Sequence, residues 1–108
     1  MACTADFAVR RRGGGWIDAP PVKGAFICNI GDCLMRWTND VYRSTPHRVT
    51  NPQGRDRYSL AFFLDANADA VVAAIPSCLT PGESPRYAPI TAGEYLASRF
   101  AQTYGFTQ

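Results

Sequence analysis

The stretch 42–65, YRSTPHRVTNPQGRDRYSLAFFLD, constrains this chain more than any other. It reads as two β-strands joined by a tight turn at Asn51-Pro52-Gln53-Gly54. Proline fixes φ, glycine admits φ > 0, and asparagine hydrogen-bonds its own backbone. Side chains alternate on either side of the turn. Thr45, His47 and Val49 share one face of the first strand, and Ser44, Arg48 and Thr50 share the other. In the second strand Arg57, Ser59, Ala61 and Phe63 oppose Tyr58, Leu60, Phe62 and Leu64. The only histidine can therefore face the same interior as an Arg/Ser pair.

At 108 residues the chain is one domain at most. Hydrophobic residues make up 46% and charged residues 19%, a globular rather than a disordered balance. A net charge of +2 is too small to argue for nucleic acid. The cations are scattered apart from Arg10-Arg11-Arg12, which reads as a solvated hairpin tip. No apolar run approaches the roughly 20 residues of a membrane helix. No charged-then-apolar-then-small pattern opens the chain, so no secretion signal is expected. Cys3, Cys28, Cys33 and Cys78 match no zinc spacing. Free thiols in a reducing, cytoplasmic setting are the expectation.

Along the chain, Phe7 to Arg11 and Trp16 to Asp18 read as short strands around the permissive Gly13-Gly14-Gly15 turn. No helix start follows the triplet, which disfavours a phosphate cradle. Pro20-Pro21 ends the second strand. Gly24 to Ile30, containing AFICNI, is the most apolar expected strand. Asp32 is placed to cap a short helical piece from Cys33 to Thr38. After Asp65 comes a loop, and then Val71 to Ile75, a strand or a helical turn. Pro76 to Pro89 reads as an irregular surface crossing. Thr91-x-x-Glu94 is a capping box that opens an amphipathic helix from Ala92 to about Thr103. Its aromatic stripe of Tyr95, Phe100 and Tyr104 is expected to pack on the sheet. Short strands, frequent turns and one late helix indicate an all-β sandwich or barrel with a C-terminal helix. About six strands is few for a closed one, which hints at a partial domain.

At the residue level His47 is a candidate metal ligand. Arg57 with Ser59 is a candidate carboxylate clamp, because the guanidinium fork matches a carboxylate and the serine adds a hydroxyl from the same strand face. Taken alone, a single strand histidine is more often structural, and R-Y-S is a common tripeptide.

The ordered motifs carry more. Gly31-Asp32-x-Leu34, Arg36-Trp37-Thr38-Asn39-Asp40, Tyr42-Arg43-Ser44-Thr45-Pro46-His47-Arg48-Val49, and Arg57-Tyr58-Ser59 followed by Phe62-Phe63 succeed one another. They resemble the C-terminal half of the iron(II)- and 2-oxoglutarate-dependent oxygenases of the isopenicillin N synthase-like family. Val9-Arg10-Arg11-Arg12 and Gly15-Trp16-Ile17-Asp18-Ala19-Pro20 resemble that family's preceding hairpin. The resemblance runs from about Phe7 to the C-terminus. It implies a partial double-stranded β-helix, or jelly-roll barrel, with residues 7–65 as barrel core and 66–108 as loop and C-terminal helix. It implies Fe(II) and 2-oxoglutarate as cofactors, His47 as the distal iron ligand, and Arg57 and Ser59 as the pair that holds the far carboxylate of 2-oxoglutarate. The implied chemistry is oxidative decarboxylation of 2-oxoglutarate to succinate and carbon dioxide, coupled to oxidation of a small organic substrate.

One departure is large. The family completes a two-histidine, one-carboxylate site with a His-x-Asp motif roughly 55 residues before the distal histidine. Counting back from His47 passes Met1, no second histidine exists, and Asp6 lacks a paired histidine. The chain thus resembles a family member cut just after its first metal motif, expected to be inactive as isolated residues. The competing expectation is a non-catalytic remnant or binding module that has lost the metal site. In either case bare sheet edges would favour self-association.

Overall fold

The computed structural model describes residues 7–51 and 54–105. Cys3 and Asp6 lie outside the described residues, as do the central Pro52 and Gln53 of the expected turn. The chain divides into two compact units. The first comprises Met1–Ile30 and Ser44–Ala61, and the second Gly31–Arg43 and Phe62–Gln108.

In the first unit, β1 (Phe7–Arg10), β2 (Trp16–Asp18) and β3 (His47–Val49) form an antiparallel sheet of order β2-β1-β3. The Gly triplet turns the β1–β2 hairpin as its composition predicts. Gly13, Gly14 and Gly15 all have φ between 83 and 102°, a region that costs a side chain but not glycine. The Arg11 amide donates to the Gly15 carbonyl at 3.0 Å and closes the loop. On the other edge Val9 opposes His47 and Phe7 opposes Val49. Pro46 cannot donate, but its carbonyl accepts the Arg10 amide at 2.9 Å, and the ladder starts there.

Register assigns the faces. Val9 opposes both Ile17 and His47, so Phe7, Val9, Ile17, His47 and Val49 share one face. Ala8, Arg10, Trp16, Asp18 and Arg48 share the other. There the Arg48 guanidinium lies 4.1 Å from the Trp16 ring centroid. This is a cation–π contact, made in the row that flanks the buried Ala8.

Two expectations are corrected here. β3 pairs with β1 and not with the run that follows Gly54. The described ends of the turn are tied together: Gly54 has φ 59°, its amide donates to the Asn51 carbonyl at 3.3 Å, and Asn51 Nδ2 donates to the Arg55 carbonyl at 2.7 Å. Beyond it, residues 55–61 lie in no strand, and neither do residues 25–30. Both runs carry exposed apolar side chains. Such runs become ladders only between neighbouring strands, and among the described residues of this unit the sheet ends at β2 and β3.

The second unit holds α1 (Asp32–Trp37), β4 (Val71–Val72), a 3-10 turn at Pro76–Cys78, β5 (Ile90–Thr91) and α2 (Ala92–Tyr104). Thus 71–72 is strand, the first of its two readings. β4 and β5 pair antiparallel, Val71 with Thr91 and Val72 with Ile90. Val72 is buried, and the Ile75 amide donates to the Trp37 carbonyl at 2.8 Å. The capping box at α2 forms in full: Thr91 Oγ1 accepts from the Glu94 amide and Glu94 accepts from the Thr91 amide. Gly93 is needed for close approach, since a Cβ there would meet the Ala68 carbonyl oxygen at 3.0 Å. The α2 stripe does not pack on a sheet: Tyr95 turns to α1, while Phe100 and Tyr104 stack on each other with centroids 6.2 Å apart and stay exposed. Asp32 is also not the helix cap. Gly31 occupies that position, and Asp32 begins the helix and accepts the Tyr95 hydroxyl at 2.7 Å. An acid in the first turn still suits the helix dipole.

Candidate functional site

His47 stands at the start of β3, exposed, on the sheet face that also carries Phe7, Val9, Ile17 and Val49. The Phe7 ring lies 5.4 Å away, tilted by 33°. Its Nδ1 is 3.3 Å from the Thr45 carbonyl oxygen. A carbonyl only accepts, so this contact is a hydrogen bond in the tautomer that carries the proton on Nδ1 and leaves the lone pair on Nε2. A backbone carbonyl that orients one ring nitrogen is the usual support for a ligating histidine.

Arg57 and Ser59 lie in the bare run after Gly54, in the same unit as His47, Arg57 half-buried and Ser59 exposed. The β-ladder brings His47 to Val9 and Phe7; it does not bring it to residues 57–59. Among the described residues no group of three His, Cys, Asp or Glu side chains could hold a metal ion. The donor set therefore does not fit an iron site by itself: one imidazole is present where the geometry needs two and a carboxylate. Cys28, Cys33 and Cys78 are free thiols. Burial, with the Asp65 carboxylate, pushes the Cys33 thiol up, which suppresses the reactive thiolate. Among the described residues no helix is long and apolar enough to cross a membrane.

The second unit contains a polar framework that sequence reasoning missed. The Arg36 guanidinium lies 4.8 Å from the Tyr87 ring centroid and 5.0 Å from that of Tyr95, and donates to the Ala88 carbonyl at 3.0 Å. Asp40 accepts the Tyr87 hydroxyl at 2.6 Å and Arg86 Nη1 at 3.0 Å. The Tyr87 hydroxyl, followed by Arg86, holds the Asp40 carboxyl below its usual range. Burial, and then the Asp32 carboxylate that it donates to, push Tyr95 up to about 12. These partners are 46 to 63 residues apart, and no local pattern signals them.

Tyr95 sets an alkaline limit. Its folded pKa is raised above the unfolded value of 10.0. Its contribution is thus fully present below pH 10 and fades as pH rises toward about 12. Urea midpoints measured at neutral pH and at about pH 11 should fall less on alkalinisation for Tyr95→Phe than for the wild type. Equal falls would reject the assignment.

Residues 3–66 match the 2OG-Fe(II) oxygenase superfamily. A 2-oxoglutarate-Fe(II) type oxidoreductase of Emericella nidulans is 46% identical over 92 residues, which cover 85% of this chain and 26% of that protein. A homoarginine-6-hydroxylase of Oryza sativa subsp. japonica is 42% identical over 92 residues, 84% of this chain and 28% of that protein. Among solved structures, a full-length Neurospora crassa protein in complex with alpha-KG and thymine superposes with a TM-score of 0.83 at 35% identity, covering 95% of this chain and 33% of that one. A 2OG-Fe(II) oxygenase family protein of Caulobacter crescentus superposes with a TM-score of 0.82 at 38% identity, covering 92% and 34%. The chain thus spans between a quarter and about a third of the length of these relatives.

Proposed function

The chain belongs to the 2OG-Fe(II) oxygenase superfamily, and from that premise we propose that it supplies the distal half of such an active site. His47 is the distal metal ligand through Nε2. Arg57 and Ser59 hold the far carboxylate of 2-oxoglutarate. Residues 7–65 contribute to the core of a jelly-roll barrel, and 66–108 supply the loop and C-terminal helix that follow it. The metal, when bound by a complete ligand set, supplies oxygen activation coupled to decarboxylation of 2-oxoglutarate. The substrate is a small organic molecule, a class supported by the thymine in complex with the Neurospora crassa relative.

One observation carries this reading. His47 stands on an apolar sheet face with Nδ1 3.3 Å from the Thr45 carbonyl oxygen, and an Arg-x-Ser pair follows ten residues later inside the family match. A second reading, a module that binds the acid without catalysis, draws on the lone histidine.

Calorimetric titration with 2-oxoglutarate tests the clamp. The chain is expected to bind the acid weakly, and Arg57→Ala to remove that binding. A charge-assisted bidentate pair contributes about 1.5–3 kcal/mol, or roughly tenfold to over a hundredfold in affinity. Arg57→Lys keeps the charge but loses the fork and should fall between the two. Unchanged affinity in Arg57→Ala would reject the assignment.

A further inference from the structure

Positive charge is unevenly divided between the two units. The first holds seven of the eleven Lys and Arg residues and three of the nine acids. The whole-chain charge of +2 hides that bias, and it is the distribution rather than the total that marks a polyanion surface. The sheet concentrates the charge further. On the face opposite His47, Arg10 and Trp16 are cross-strand partners. Arg48 joins that face from β3, on the far side of β1. Ala8, the residue opposite Arg48 on β1, is small and buried. The Arg48 guanidinium therefore reaches across it to 4.1 Å from the Trp16 ring centroid. Arg11 and Arg12 follow Arg10 at the hairpin tip, beside the Gly triplet. All four arginines are exposed, and Trp16 is 41% exposed. Among the described residues none of the four joins an ion pair. Asp18 is the acid in the row.

We propose that this face binds single-stranded nucleic acid. Arg10, Arg11 and Arg12 take phosphates, and the Trp16–Arg48 stack takes a base. The proposal does not depend on His47 as a ligand. Charge complementarity selects an anion, and two further features select this one. Guanidinium forks match phosphate oxygens. An indole with a guanidinium stacked on it, set on an open sheet face, is a platform for an unstacked base. A lipid surface fits less well, because the tip from Arg11 to Gly15 has no apolar side chain to enter a bilayer. An apolar layer of protein does not suit the face either. It would strip water from four guanidiniums that pair with no carboxylate among the described residues.

Fluorescence anisotropy with a labelled single-stranded oligodeoxynucleotide of about twelve nucleotides tests this. It is run over a range of salt on the 108-residue chain. It is repeated on a chimera in which these residues replace the matched part of the Emericella nidulans relative. Binding is expected in both, with a log–log salt slope near −0.7 for each phosphate neutralised. The double variant Arg11→Gln/Arg12→Gln should flatten that slope by about 1.4. Arg43→Gln, an equal loss of charge per residue in the other unit, should leave affinity and slope unchanged. Trp16→Leu should keep the slope and lose about tenfold in affinity, and a strand of abasic sites should bind the wild type about tenfold more weakly. Circular dichroism checks that each variant is folded. Equal affinity for the abasic strand, a slope indifferent to the arginine pair, or no binding at low salt would overturn the proposal. So would binding by the short chain that the chimera lacks. Sedimentation with phosphatidylserine vesicles that persists in excess oligonucleotide would overturn it too, and would make the face a lipid surface.

Discussion

No succinate is expected when the 108-residue chain is incubated in air with iron(II), ascorbate and 2-oxoglutarate. One imidazole would fix neither the position of a metal nor the open sites that oxygen activation needs. A chimera changes that count. When these residues replace the matched quarter of the Emericella nidulans relative, to which they are 46% identical, the rest of that protein can supply the missing ligands. Succinate formation is then expected, and His47→Ala in the chimera should reduce it by about a thousandfold or more, since a primary ligand is lost rather than a supporting contact. Arg57→Ala should instead act mainly through the KM for 2-oxoglutarate. Succinate from the short chain at the chimera's rate would refute the assignment of an incomplete site and require another ligand source, such as Asp6.

Asn39→Ala is expected to be the most damaging single change in the second unit. Asn39 is only 4% exposed and has φ 50°, and Asp40 follows at φ 69°. Two consecutive non-glycine residues in the left-handed region are strained, and persist only when the surroundings over-determine them. Here they do. Asn39 Oδ1 accepts the Arg86 amide at 2.8 Å, and its Nδ2 donates to Glu83 at 3.2 Å. Asp40 holds Tyr87 and Arg86. Alanine would orphan the Arg86 amide and keep the strain, at a cost of about 3 kcal/mol. Asn39→Gly relieves the backbone but loses the same bonds, so it separates the two causes. It should recover about 1 kcal/mol of the loss. Urea unfolding provides the measurement, and a loss below about 0.5 kcal/mol for Asn39→Ala would show that the corner is not held this way.

Local chemistry makes much of this protein legible in its sequence. The Gly13-Gly14-Gly15 turn, the Asn51 and Gly54 ends of the second turn and the Thr91–Glu94 capping box form as their residues predict. Each depends on φ preferences or hydrogen bonds that span four or five residues. Alternation puts His47 and Val49 on one face, and the ordered motifs point to the family that the match over residues 3–66 establishes.

What alternation could not decide was the partner of each strand. The turn after β3 suggested a hairpin, yet β3 pairs with β1, more than 35 residues earlier in the chain, and no strand adds to its other edge among the described residues. Turn chemistry specifies a reversal of direction, whereas pairing depends on which edge is free and what covers both faces. The same limit explains the bare runs at Phe26 and Leu60, whose composition asks for neighbours that this unit does not offer. It also explains Asp32, which reads as a cap by position but answers to Tyr95, 63 residues away. The framework of Arg36, Asp40, Arg86 and Tyr87 is likewise invisible in the sequence, because its energy comes from contacts that only the tertiary structure brings together.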